Sequence, residues 1–343
     1  MAESPDERRH ATPGPIPITQ PSGVPAAPHT IVLDCDPGHD DAIAMMVAHA
    51  HPAIDLAAVT TVAGNQTIEK VTRNALAVAT VCGMTDVPIA AGAAAPLVRP
   101  ARVAHDIHGE SGMDGPALPA PTVPLDPRHG VDLIIQTVRS RPPGTVTLVP
   151  TGPLTNIALA ARLAPDIVGS VASVVLMGGG YGGGNTTAAA EFNILSDPEA
   201  AQVVFGAHWP VTQVGIDLTH RATATPDVIA RIAAIGGRAT AFVTALLQFF
   251  GDTYRAVQGF DAPPVHDVCA VALVADPDVI ATRAAHVEVE LAGAHTAGMT
   301  VTDFVGRNGI ALDHRVAVEL NRDRFWDLVI GALARIDRAP RPG

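Results

Sequence analysis

Residues 31 to 41 read Ile-Val-Leu-Asp-Cys-Asp-Pro-Gly-His-Asp-Asp, a short apolar run that ends in four carboxylates, Asp34, Asp36, Asp40 and Asp41. Apolar residues ahead of a Pro-Gly turn suit a strand buried on both faces, and the Ala-Ile-Ala-Met-Met-Val-Ala stretch after Asp41 suits a helix packed against it. Asp40 and Asp41 then fall at the helix N-terminus, whose partial positive charge favours acids. One helix dipole cannot offset four carboxylates within eight residues, so a cation is the natural remedy. Oxygen-rich, sulfur-poor ligation favours Ca²⁺ or Mg²⁺ over zinc. Helix caps and solvated loop charges would need no ligand. Open α/β sheets, however, bind ligands at the carboxyl ends of their strands, which is where these acids fall.

The strand-helix rhythm repeats. Ile54 to Val62 reads as a second strand, running into Ala63-Gly64-Asn65 and a helix through about Val81, and Val87 to Gly92 reads as a third strand. This alternation predicts an α/β fold: an open, mainly parallel, Rossmann-like sheet flanked by helices. A helix over Gly130 to Arg139 and a strand over Thr145 to Val149 continue it. Pro150-Thr151-Gly152-Pro153 then exposes backbone groups at the sheet's carboxyl edge, where a carbonyl could face a metal.

Residues 93 to 128 are long, rich in Pro and Gly and not simply polar, as functional lids and pocket walls often are. His108 within them reads equally as a pocket wall or a surface histidine. A strand over Val171 to Met177 runs into the glycine run 178 to 184. A GxGxxG match there arises from glycine density, and the polar loop with Asn185, Glu191 and Asn193 favours ligand contacts over phosphate cradling.

A strand over Val211 to Ile216 ends at Asp217, and two amphipathic helices fill residues 226 to 257, with Phe249, Phe250 and Tyr254 on one helical face. Core packing explains that face unless the helix reaches the site, where a planar ligand could stack. Two prolines precede His266-Asp267, expected to be exposed at a helix N-terminus. Capping explains Asp267 but not His266. Strands at His286 to Leu291, Gly298 to Phe304 and Arg315 to Leu320 suggest a small antiparallel addition, an edge or a second sheet, near the C-terminus. A helix over Asp323 to Ile336 closes the fold.

A formal charge of -12 gives no basic footprint, so nucleic acid and anionic membrane are poor partners and a small molecule is the better one. No stretch offers enough uninterrupted apolar residues for a transmembrane helix. Cys35, Cys82 and Cys269 lack any CxxC spacing, which speaks against disulfides and zinc and for a reducing, cytoplasmic compartment. The expected organisation is a disordered Pro/Ala-rich tail over 1 to 28, one domain over 29 to 336, and a polar tail over 337 to 343.

Seven motifs occur in order: Leu-Asp-Cys-Asp-Pro-Gly-His-Asp-Asp at 33 to 41, Val-Ala-Gly-Asn-Gln-Thr at 62 to 67, His-Asp-Ile-His-Gly-Glu-Ser-Gly at 105 to 112, Val-Pro-Thr-Gly-Pro-Leu-Thr-Asn at 149 to 156, Met-Gly-Gly-Gly-Tyr at 177 to 181, Ala-Glu-Phe-Asn at 190 to 193 and Val-His-Asp at 265 to 267. Over residues 30 to 336 the chain resembles the nucleoside hydrolases of the inosine-uridine-preferring type. The resemblance implies Ca²⁺-dependent hydrolysis of ribonucleosides to ribose and free base, in nucleoside salvage. It implies that Asp36, Asp41, Asp267 and the carbonyl of Thr151 hold the metal, and that Asp36 is also the general base that deprotonates a metal-bound water. Asp40, Asn65, Asn185, Glu191 and Asn193 match residues that hold the ribose hydroxyls, while Met177 and Phe192 flank sugar and base.

His266 matches the general acid for the leaving base, and His108 a residue lining the base pocket. Tyr254 keeps an aromatic on the base-side helix, whereas an arginine found one turn later in some members is Gln258 here, which leaves purine against pyrimidine preference open. The resemblance also implies a homodimer or homotetramer. Two other functions fit parts of the pattern. An aspartate-nucleophile phosphatase also places Asp-x-Asp after its first strand and uses Mg²⁺, but it wants a catalytic lysine, and the single lysine here, Lys70, has no matching acidic pair. A Ca²⁺-dependent nucleoside-binding protein without turnover would not need every catalytic position that is present.

Overall fold

The computed structural model describes residues 27 to 339. In chain order the elements are β1 (His29–Cys35), α1 (His39–Ala50), β2 (Ile54–Thr61), α2 (Ile68–Cys82), β3 (Ile89–Ala91), α3 (His105–His108), α4 (Gly130–Arg139), β4 (Val146–Pro150), α5 (Thr155–Leu163), β5 (Val171–Met177), α6 (Phe192–Ser196), α7 (Pro198–Phe205), β6 (Val211–Val214), α8 (Ile216–Thr219), α9 (Pro226–Ala233), α10 (Arg238–Gln258), α11 (His266–Ala275), β7 (Ile280–Val289), β8 (Thr300–Asp303), β9 (His314–Leu320) and α12 (Arg322–Arg338). The nine strands form one sheet in the order β3-β2-β1-β4-β5-β6-β9-β7-β8. The first seven in that order run parallel, and β7 and β8 are antiparallel to their neighbours.

β1 shows why. From Ile31 to Cys35 every residue is buried, and the pleat sends Ile31, Leu33 and Cys35 to one apolar layer and Val32 to the other. The first layer lies under α1, α2, α10, α11 and α12, the second under α4, α5 and α7. α1 is buried on all sides from His39 to Ala48, as a helix apolar all round must be.

β1 pairs with β2 on one side and with β4 on the other, so the chain winds outward in both directions from it. The crevice between the carboxyl ends of β1 and β4 is the topological switch point at which such sheets bind ligands. The mainly parallel sheet with a small antiparallel part agrees with the sequence reading.

Several boundaries differ from it. β6 stops at Val214, and Gly215 turns the chain into the short α8, so Asp217 lies in a helix rather than at a strand end. β7 starts at Ile280, ahead of the expected His286. β9 joins β6 in parallel register, so the C-terminal strands extend the one sheet and make no second one. α12 continues to Arg338, where the Asp337 carboxylate accepts hydrogen bonds from the N–H groups of Ala239 (2.8 Å) and Thr240 (3.0 Å) and so caps α10. The tail expected over 1 to 28 lies, up to residue 26, outside the described residues, as do residues 340 to 343. Among the described residues no helix is long and apolar enough to cross a membrane.

Candidate active site

The four acids of the opening motif occupy two depths. Asp34, still in β1, is fully buried and accepts hydrogen bonds from Thr60 Oγ1 (2.6 Å) and Asn156 Nδ2 (2.8 Å), joining β1 to β2 and α5. Burial pushes its carboxyl up to about 7, partly opposed by those two bonds.

Asp36, Asp40 and Asp41 lie beyond the strand end. Asp36 Oδ2 accepts from Asn65 N at 2.6 Å, and its Oδ1 is buried without any protein partner. A Cβ on Gly64 or Gly152 would collide with this carboxylate, so both glycines are required by its close approach. Asp41 accepts from Thr151 Oγ1 (2.9 Å), Gly38 N (3.1 Å) and Asn65 Nδ2 (3.2 Å). Asp40 Oδ2 accepts from His266 N (2.9 Å) and Asp267 N (3.4 Å), capping α11 from another element.

Asp267 completes the group: one carboxylate oxygen from each of Asp40, Asp41 and Asp267 lies within 4.8 Å of the others. Burial, and then mutual repulsion, pushes the carboxyls of Asp36 and Asp267 well above the usual range and that of Asp40 up to about 7. Four buried acids without a basic side chain among them, one with an orphaned oxygen, fit a hard cation held by oxygen. The Thr151 carbonyl accepts from Asn193 Nδ2 at 2.7 Å and keeps a second lone pair free. Asp40, expected from the resemblance only at the ribose, lies within the same trio as the expected ligands Asp41 and Asp267.

Above this floor opens a cavity of about 330 Å³, in the size range of small-molecule pockets. Asp40, Asn65, Thr151 and Asp267 form its base, while Asp36 and Asp41 lie behind them. Met177, Asn185, Glu191, Phe192 and Asn193 form one wall. Glu191 is the N-cap of α6, accepting from Asn193 N (3.0 Å) and Ile194 N (3.2 Å), and it also receives Gly179 N at 2.9 Å. Asn193 Nδ2 reaches the Met177 carbonyl (3.2 Å), and Asn185 Oδ1 receives Phe192 N (3.0 Å). The glycine run cradles no phosphate: the N–H groups of Gly179, Gly180 and Tyr181 go to Glu191, Thr300 Oγ1 (2.9 Å) and Asp217 (2.7 Å).

The opposite wall carries His108, Tyr254 and His266. His266 is buried, not exposed as its place at a helix N-terminus suggested, because Asp40 and the α10 wall close over it. Its Nδ1 lies 2.6 Å from Thr219 Oγ1 and its Nε2 2.8 Å from the Tyr254 hydroxyl. Burial, with His220 alongside, pushes this imidazole down to about 3, so it is neutral at physiological pH. α10 does reach the site: Tyr254 lines the cavity, and Phe249 and Phe250 stack on His39 at 5.3 and 4.8 Å between ring centroids. His108 is a buried pocket wall rather than a surface residue. Lys70 does not line the cavity and pairs instead with Glu110 Oε1, 2.6 Å away at the surface, so no catalytic lysine serves a phosphatase here.

The structure thus gathers all the expected site residues in and beneath one cavity. It adds His39, which contacts His108, Thr219, which holds His266, and the mouth residues Val103, Ile107 and Val257. His39 stands inside the first motif, but the acids beside it absorbed the reading. Nothing local marks Thr219, which follows a strand whose end was placed too late.

A doubly wound sheet that gathers acids, amides and histidines around a pocket at its switch point defines an α/β enzyme acting on a small polar molecule. A sequence profile of the inosine-uridine preferring nucleoside hydrolases matches residues 31 to 327. The chain is 52% identical over 310 residues to the inosine-uridine preferring nucleoside hydrolase of Crithidia fasciculata, covering 90% of this chain and 98% of that one. It is 45% identical over 307 residues to the pyrimidine-specific ribonucleoside hydrolase RihA of Photobacterium profundum, covering 89% and 98%. The solved purine-preferring ribonucleoside hydrolase from Gardnerella vaginalis superimposes with a TM-score of 0.85 at 30% identity, covering 90% and 99%. The chain belongs to the inosine-uridine preferring nucleoside hydrolase family and is a hydrolase of N-glycosyl bonds.

Proposed function

We propose that the protein hydrolyses ribonucleosides to ribose and free base with Ca²⁺ as its cofactor, in nucleoside salvage. The observation that carries this reading is one nucleoside-sized cavity lined by a neutral histidine held between two hydroxyls, with a buried carboxylate that keeps a free oxygen, Asp36 Oδ1, beneath its floor. Asp36, Asp41, Asp267 and the Thr151 carbonyl would hold the cation, with Asp40 beside them. A bound Ca²⁺ would compensate these charges and acidify a water that it holds.

The protein's own groups divide the remaining work. Asp36 takes the proton of the attacking water at its free Oδ1. The amide and carboxylate side chains of Asn65, Asn185, Glu191 and Asn193, with Asp40, hold the ribose hydroxyls, and Met177 and Phe192 flank sugar and base. As the glycosidic bond breaks, the sugar gains oxocarbenium character and the acidic floor stabilises that charge. His266 is neutral, so it serves the leaving base as a relay. It takes up a proton from solvent at one ring nitrogen and hands it to the leaving base, returning to the neutral ring, while the Thr219 and Tyr254 hydroxyls hold the imidazole in place.

Base preference is set by the wall containing His108, Tyr254 and Gln258. The relatives' names span purine and pyrimidine bases, so it has to be measured. Three free cysteines, two of them buried, support a reducing cytoplasmic setting, and the family resemblance supports a homodimer or homotetramer. The test is ribose release from inosine, uridine, adenosine and cytidine by protein stripped of metal and then resupplied with Ca²⁺. Release that disappears and returns with the metal supports the assignment. Saturable binding without release would instead establish a binding protein.

A further inference from the structure

The His39–His108 contact allows the protons on both rings to be placed. His39 Nε2 lies 2.8 Å from the backbone carbonyl oxygen of Asp114. A carbonyl only accepts, so Nε2 carries a proton. His39 Nδ1 faces His108 Nδ1 at 3.1 Å. In a neutral His39 with its proton on Nε2, Nδ1 is a bare lone pair. A second bare lone pair opposite it would be repulsive, so the proton between the rings belongs to His108 Nδ1.

The His39 backbone N–H also approaches His108 Nδ1, but at 3.4 Å. As the first residue of α1 this buried N–H has no partner within the helix, so a proton on His108 Nδ1 gives up the longer contact and leaves one buried donor unpaired, in exchange for removing the repulsion of two lone pairs at the shorter distance of 3.1 Å. The pair is held rigidly. His39 stacks against Phe249 and Phe250 with interplanar angles of 3° and 5°, and any Cβ on Gly38 would collide with His108 Nδ1.

We infer that His39 is a positioning residue that fixes His108 as its Nδ1–H tautomer, so that Nε2 faces the pocket as a bare acceptor and selects nucleosides presenting a hydrogen-bond donor at that wall. His108 lines the cavity, and among the described residues no protein group bonds its Nε2. The donor is either an N–H on the edge of the base or the 5′-hydroxyl of the sugar; both offer the same chemistry. The substrate half of this inference rests on the nucleoside hydrolase reading, while the tautomer does not.

The test is made on the full-length, metal-loaded protein at pH 8. There, histidines with the ordinary pKa of about 6.5 are neutral without any shift being invoked. Long-range ¹H–¹⁵N spectra of the imidazoles report which ring nitrogen carries the proton. Deletion in His108→Asn identifies the His108 signals among those of 14 histidines. The expected result is a protonated Nδ1 and bare Nε2 in the wild type, loss of that preference in His39→Leu, and its retention in His39→Asn, whose amide oxygen replaces the acceptor. A wild-type His108 protonated on Nε2 overturns the inference whether or not the variants fold.

The second arm compares kcat/KM for inosine with 1-methylinosine and 5′-deoxyinosine, and for uridine with 3-methyluridine and 5′-deoxyuridine. Loss of the selected donor lowers kcat/KM at least about tenfold in the wild type and in His39→Asn, and much less in His39→Leu. The analogue that suffers identifies the donor. Equal turnover of every analogue overturns the selection. Absence of turnover with all the parent nucleosides refutes the hydrolase reading instead, and the spectra are read without substrate.

Discussion

His266 is held from both sides by hydroxyls and by burial in the neutral state, so under the proposed mechanism its loss would remove proton delivery without leaving a stranded charge. His266→Ala is expected to lower kcat for inosine by about 10² to 10⁴, the usual worth of general acid catalysis. An unchanged rate in a stopped assay would exclude the role. Tyr254→Phe removes the hydroxyl that holds the ring at Nε2 and should lower kcat with KM little changed. Recognition of the sugar belongs to the same scale. If Asp40, Asn65, Asn185, Glu191 and Asn193 hold its hydroxyls, 2′-deoxyinosine leaves buried groups unpaired and should react on the order of 10⁴-fold more slowly than inosine. Comparable rates would show that the sugar is held elsewhere. These residues were legible because each stands in a short motif whose composition is odd for its place: acids after an apolar strand, amides after glycines. Thr219 and His39 were not, since their meaning lies in contacts with His266 and His108, 47 and 69 residues away.

At the level of elements, β7 and β9 are joined by a charged brace as well as by their ladder. His286 Nδ1 lies 3.0 Å from Asp313 Oδ1 and its Nε2 3.2 Å from Glu288 Oε1. Partial burial opposes the charge, but the hydrogen bonds to Asp313 and Glu288 outweigh it and hold this imidazole above 6.5. His314 stacks beside it, yet its ring nitrogens are taken by Val287 N (3.0 Å) and the Phe205 carbonyl (3.0 Å), which leaves no lone pair for a cation. A folded-state pKa above the unfolded one adds stability that is fully present below about pH 6.5 and is lost as pH rises through the folded value. The denaturation midpoint of the wild type should therefore fall, relative to that of His286→Gln, as pH rises above about 6.5. Parallel curves for the two proteins would show that the brace contributes nothing. The βα repeats were readable because local periodicity and a buried sheet agree. The attachment of β9 to β6 was not, because strand order depends on pairings distant in sequence, and the late end assigned to β6 hid α8.

For the molecule as a whole, the acidic floor ties stability to the cation. Without one, burial raises the folded-state pKa values of Asp36, Asp40 and Asp267, so the folded protein keeps protons that the unfolded chain has released. Stability of the metal-free protein should fall as pH rises from about 4 through about 7, the value to which Asp40 is pushed. Ca²⁺ should flatten that slope, leaving the share of Asp34, and raise the melting temperature by preferential binding to the folded state. A melting temperature indifferent to Ca²⁺ at pH 8 would mean that the floor holds no cation. The central position of β1 adds a consequence for how the protein is made. Asp36 leaves the ribosome among the first of the described residues, whereas Asp267 leaves it only after most of the sheet has been synthesised. Through most of translation the first strand therefore carries its negative charges with no complete cage to neutralise them. The acidic trio of Asp40, Asp41 and Asp267 can therefore close only once α11 has been synthesised, after six of the nine strands.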